Sequence, residues 1–156
     1  MDTTDDATKA QLAALNYLKK APLSVGQVRQ RLLNRGFSPS GTEEAIELLT
    51  ASGDLSDRNL ALSLSEKAIN NGRGPRWIEQ ALSRRFFLGE DIDYCVDFAR
   101  AKAGDIAQNI LKRRYGPVAL QEPNTRPKAA RFLHGRGFDE DTIEDALEAV
   151  LPPIQY

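Results

Sequence analysis

The chain is predicted to be all-α, a tandem array of three three-helix modules, elongated and curved. Apolar residues recur three and four positions apart nearly everywhere, and strict alternation over the length of a strand is hard to find. An ungapped internal repeat is anchored on Gly36, Phe86 and Gly137, which stand 50 and 51 residues apart. Four residues before each anchor is a leucine (Leu32, Leu82, Leu133), and one after is a phenylalanine (Phe37, Phe87, Phe138). Ile46, Val96 and Leu147 follow at ten residues, and Leu49, Ala99 and Val150 at thirteen. These sets fall on one helical face, so each repeat holds a helix, a tight turn and a second helix, with a further helix in front. The modules are assigned to residues 7–55, 56–99 and 100–151, with a linker at about 116–126.

The helix signals support this order. In "LSVGQVRQRLL", Ser24 and Gln27 form a capping box, and Leu23 with Val28 supplies the matching apolar staple. In the second repeat, "GRGPRWIEQALSRR" puts Pro75 at a first helical position, where its missing N–H removes no bond. "NTRPKAARFLHGRG" does the same with Pro127 in the third. The segment "YGPVALQEPNTRP", rich in proline and glycine, reads as a linker that lets the third repeat reorient. "RLLNRGFSPS" and "FLHGRGFDED" end helices through a left-handed glycine and an apolar residue that packs back on the last turn. Phe86 takes the glycine's place in "RRFFLGED", so the second repeat should end its helix differently or at more strain.

Charge repeats with the structure. Ala7–Gly36 carries six bases and no acid, whereas Phe37–Asp57 carries five acids and no base. Arg58–Phe86 has six bases and two acids, followed by four acids in Phe87–Ala99. Arg100–Arg136 has nine bases and two acids, and Gly137–Tyr156 has six acids and no base. Bases at helix ends and acids at helix starts gain from the helix dipole, which explains part of the pattern. Aligned modules would also display a basic strip opposite an acidic one.

The composition excludes several function classes. No apolar stretch is long enough to cross a membrane, and the acidic start is unlike a signal peptide, so a cytoplasmic protein is expected. A net charge of -1 argues against coating nucleic acid through bulk positive charge. One cysteine and one histidine rule out an internal disulfide or a cysteine-based zinc cluster. Cys95 is expected as a buried structural thiol, His134 as a surface residue and Trp77 as core packing. "DEDTIEDALE" lacks the geometry of a calcium loop, and "NGRGPR" reads as a turn that leaves Arg73 and Arg76 exposed. No catalytic constellation, metal site or cofactor is expected. Lys112, Arg113, Arg114 and Tyr115 form the densest basic run and suit contact with phosphate or acidic protein.

Over about Ala14–Val150 the chain resembles the RecX family, which regulates the bacterial recombinase RecA. The resemblance is carried by "ALNYLKKAPLSVGQVRQRLLNRGF", "LLTASGDLSD", "NGRGPRWIEQALSRR" and "RFLHGRGFDEDTIEDAL" in this order and spacing. It implies a row of three-helix modules and a monomeric, non-enzymatic modulator. Such a protein lies in the groove of the RecA filament on DNA and inhibits its ATPase, strand-exchange and coprotease activities. Contacts with RecA, and weak direct contacts with DNA, are expected on the basic strip. The candidate residues are Arg29, Arg35, Arg73, Arg76, Arg84, Arg85, Lys112, Arg113, Arg114, Arg131 and Arg136. The alternative is a helix-turn-helix regulator that binds DNA without a recombinase. The acidic second helix of each pair would repel phosphate in that role.

Overall fold

The computed structural model describes residues 3–151. The described residues form helices and turns only: α1 (Thr3–Lys20), α2 (Val25–Asn34), α3 (Pro39–Ala51), α4 (Asp57–Asn70), α5 (Pro75–Arg84), α6 (Gly89–Arg114), α7 (Gly116–Leu120), α8 (Thr125–Gly135) and α9 (Glu140–Val150). The all-α expectation holds.

Two compact units divide the chain. The first contains the residues up to Ser63 together with Leu82–Asp91. Its core joins Ala10, Ala13 and Ala14 of α1 to Val28, Leu32, Ala45, Ile46 and Leu49. The small α1 side chains let that helix lie close against α3, to which Asp6 ties it by accepting hydrogen bonds from the Ser38 amide and hydroxyl. The second unit contains Leu64–Ala81 and the chain from Ile92 onward. Leu111, Leu120, Leu133 and Phe138 are fully buried at its centre.

The expected starts of α2 and α5 are found. The Ser24 hydroxyl accepts the Gln27 amide at 3.1 Å, the Gln27 side chain accepts the Ser24 amide at 3.0 Å, and Leu23 and Val28 are both buried. Pro75 is the first residue of α5. Pro127 is instead the third residue of α8, still within the first turn, where helix amides have no partner in the helix.

Two boundaries differ from the sequence reading. The segment expected as a linker contains α7, whose Leu120 is buried in the core of the second unit. Gly116, at φ 83°, is the first residue of the short helix and Pro117 the second, so the residues that suggested a loop serve here as helix punctuation. Helix α6 runs unbroken for 26 residues, through the expected boundary between Ala99 and Arg100. No proline interrupts it, and Ala99, Ala103 and Ala107 continue one buried face.

Candidate partner-binding surface

The helix-ending turns place most of the candidate arginines. All three turns close with the same pair of hydrogen bonds. Gly36 and Phe37 donate to Leu33 and Leu32, Phe86 and Phe87 to Ser83 and Leu82, and Gly137 and Phe138 to His134 and Leu133. This pattern caps a helix with one left-handed residue. Gly36 and Gly137 stand at φ 102° and 101°, and Phe86 is forced to 62°. Of the two outcomes expected for the second repeat, the strained cap is the one that occurs.

The turns also dock onto the starts of earlier helices, which the sequence did not indicate. In the first unit the Ser24 hydroxyl donates to the Arg85 carbonyl, while Val25, the first residue of α2, donates to Asp57 at 2.8 Å. In the second unit the Gly74 amide donates to the Arg136 carbonyl at 2.8 Å and the Arg76 amide to that of Gly137 at 3.1 Å. In the second unit, amides that a helix leaves unpaired at its start are thus satisfied by a turn distant in sequence, whereas in the first the Val25 amide is satisfied by the Asp57 carboxylate. The backbones approach closely: a Cβ on Gly74 would lie 2.5 Å from the Gly137 carbonyl carbon.

Several candidate arginines are engaged within the chain. Arg85 donates to the Pro22 carbonyl at 2.9 Å, and Arg136 donates to the Asn71 and Gly72 carbonyls. Arg35 donates to the Tyr17 hydroxyl at 3.3 Å, and Arg76 to the His134 carbonyl at 2.8 Å. Arg29 forms an ion pair with Glu43 at 2.5 Å, and that bond, with the negative charge behind it, holds its pKa above the usual guanidinium value. Arg58 pairs with the buried Asp91 at 2.6 Å. In the first unit, basic and acidic helices therefore meet at two ion pairs, so their charges are not displayed on fully separate faces. Arg84, Lys112, Arg113, Arg114 and Arg131 are exposed.

In the second unit the cations surround a groove of about 550 Å³. The end of α4 and its turn contribute Asn70, Asn71 and Gly72, and α6 contributes Ile106, Ile110, Arg113 and Arg114. Phe132 and Arg136 complete the wall, and none of the lining residues is acidic. The Arg114 guanidinium lies 4.0 Å from the centre of the Phe132 ring, and that of Arg136 lies 5.8 Å from it. Burial, and then the positive charges of Arg73 and Arg114, lower the pKa of Arg136 from the usual guanidinium value. Like charges held together repel, and a bound anion would relieve that repulsion. Trp77, expected in the core, is instead 37% exposed, with the Arg73 guanidinium 5.0 Å from its ring centre. The close packing of Gly137 against its backbone leaves the indole at the surface. Cys95 is fully buried and His134 is exposed.

The chain is similar to known proteins over most of its length. A sequence profile described as "RecX, first three-helix domain" matches residues 10–49. "Regulatory protein RecX" of Stenotrophomonas maltophilia (strain R551-3) is 29% identical over 133 residues, covering 85% of this chain and 82% of the relative. That of Pseudomonas putida (strain F1) is 25% identical over 139 residues, covering 89% of each. The crystal structure of RecX from Lactobacillus salivarius superposes with a TM-score of 0.80 at 22% identity, covering 94% of this chain and 97% of that one, and so shares the fold. The chain is therefore similar to RecX regulatory proteins, by profile in its first module and by relatives 25–29% identical that align over 85–89% of its length.

Proposed function

We propose that this protein binds the RecA recombinase filament on DNA and inhibits its ATPase, strand-exchange and coprotease activities, acting as a monomer without a cofactor and without catalysing a reaction. The observation that supports this reading best is the groove of the second unit, which gathers three arginines and an aromatic ring without a single carboxylate. Such a surface selects an anionic partner, and a filament on DNA offers both acidic protein surface and phosphate. Lys112 and Arg113 are the best placed contacts, exposed in the last turn of α6 beside the groove. Arg73, Arg84, Arg114 and Arg131 are further contacts, and weak direct DNA contact uses the same cations. Arg29, Arg35, Arg76, Arg85 and Arg136 serve the interaction less directly, because their side chains hold this chain together. Action in the cytoplasm follows from that partner; no described helix is long and apolar enough to cross a membrane.

The test is the DNA-dependent ATPase of the cognate recombinase, titrated with this protein. Inhibition is expected, with a half-inhibitory concentration at least roughly tenfold higher for the Lys112→Glu/Arg113→Glu variant, since each lost cation contact is worth about 1 kcal/mol or more at an interface. An ATPase unchanged by the wild-type protein refutes the reading. Tight, salt-sensitive binding to duplex DNA with no recombinase present would favour the helix-turn-helix alternative instead.

A further inference from the structure

Phe86 stands at a backbone position that the other two repeats fill with glycine, and nothing in the turn requires its side chain. The hydrogen bonds that close the turn are backbone bonds shared by all three repeats, so a glycine would make them without a side chain in the left-handed region. Burial does not compensate, because the residue is 55% exposed. What packs inward is the turn itself: a Cβ on Gly26 would lie 2.6 Å from the Phe86 Cβ and 2.8 Å from its carbonyl oxygen. Phe86 lines two adjoining hollows of the first unit. One, of about 410 Å³, it shares with Gly26, Arg29, Gln30, Leu33 and Asn34. The other, of about 450 Å³, it shares with Leu55, Asp57 and Leu88 among others. Leu33 is 40% exposed and Leu88 61%. Phe86 therefore joins two exposed leucines into one apolar surface, at the expense of local strain.

The surroundings say what would cover it. The hollow beside Leu33 is walled by two amides and one cation, Arg29, which Glu43 pairs from outside its wall, and Asp57 is the one carboxylate lining the hollow beside Leu88. Arg31 is exposed on the same helix and Arg35 at its C-cap, within a stretch from Ala7 to Gly36 that contains no acid. An apolar centre with a basic margin fits an apolar side chain carried between acids. We propose that Leu33, Phe86 and Leu88 form an anchoring surface for an apolar side chain on an acidic segment of a protein partner. This rests on the reading above, by which that partner is a recombinase subunit in the filament.

Phe86→Gly and Phe86→Asn test it, because both residues accept the left-handed conformation and preserve the turn. Each variant is to be compared with the wild-type chain in filament binding on single-stranded DNA, measured by fluorescence anisotropy, and in thermal melting followed by circular dichroism. The expected result is a cooperative helical melt in both variants and filament affinity weakened roughly tenfold or more, as for the aromatic centre of an interface. Leu33→Ser should weaken it in the same direction. Wild-type affinity in folded Phe86→Gly overturns the anchoring surface while leaving the regulatory reading intact. Failure of the wild-type protein to bind the filament overturns both. If Phe86→Gly loses concentration-dependent self-association in sedimentation equilibrium, or binding to single-stranded DNA alone, and keeps filament affinity, the surface belongs to a second copy or to nucleic acid and the proposal fails.

Discussion

Gly137 satisfies two demands at once, and substitutions can separate them. Its φ of 101° disfavours any side chain, and a Cβ there would lie 2.6 Å from the Trp77 amide nitrogen and 2.7 Å from the Trp77 Cβ. Gly36 has nearly the same φ, but a Cβ there would meet nothing within 4 Å. Gly36→Ala should therefore cost about 1–2 kcal/mol, the strain of a left-handed residue alone. Gly137→Ala should cost that and about 1–3 kcal/mol more, because the backbone it would strike must shift. Urea denaturation of both variants measures the difference, and equal midpoints would show that the close approach is not needed. Asp57 makes a different kind of demand. Burial raises its pKa above the ordinary 3.8 although the Val25 amide and Arg29 favour its charge, while Asp91 opposes it. Because the folded state holds the proton more tightly, the stability Asp57 contributes is complete below pH 3.8 and is lost as pH rises through the higher folded value. Asparagine keeps an acceptor for the Val25 amide without the buried charge. Asp57→Asn should gain stability relative to wild type as pH rises from about 4 to 7, in melts across that range. A difference independent of pH would refute it.

Among the elements, what was legible in the sequence is what depends on neighbours along the chain. The Ser24 capping box, the Leu23–Val28 staple, Pro75 at the start of α5 and the left-handed turn at Gly36 all follow from residues within a few positions of one another. Trp77 and α7 were misread because their environment is set by distant residues: the backbone of Gly137 in one case, the core around Leu120 in the other. The candidate site was legible as a charge pattern and not as a geometry. Composition marks Arg85, Arg113 and Arg136 alike, yet Arg85 and Arg136 reach carbonyls 63 to 65 residues away, a pairing no local signal encodes. That distinction is measurable. Arg136→Ala should lower stability by about 1 kcal/mol, the net worth of a partly exposed charged hydrogen bond. Arg113→Ala should stay within about 0.5 kcal/mol of wild type, as surface substitutions do. Chemical denaturation of the two variants decides it, and equal losses would remove the division between holding and contacting arginines.

Across the whole molecule, covalent order and packing order do not coincide. The unit that begins the chain is completed by Leu82–Asp91, whose Arg85 carbonyl accepts from Ser24, whose Arg85 side chain reaches Pro22, and whose Asp91 pairs with Arg58. A cut at the end of the first sequence repeat therefore leaves the start of α2 and the end of α1 without partners that the repeat pattern alone would call dispensable. Each lost bond of this kind is worth about 1 kcal/mol, and about 1 kcal/mol shifts the melting of a domain this small by roughly 4–8 °C. A fragment of residues 1–91 should consequently melt several degrees above one of residues 1–55 when the same α1–α3 helical signal is followed by circular dichroism. The Ser24→Ala substitution should narrow that gap, because both fragments lose the cap on the Gln27 amide but only the longer one also loses the bond to the Arg85 carbonyl. Equal melting temperatures for the two fragments would mean that the first three helices are self-sufficient and that the later turn adds no stability to them.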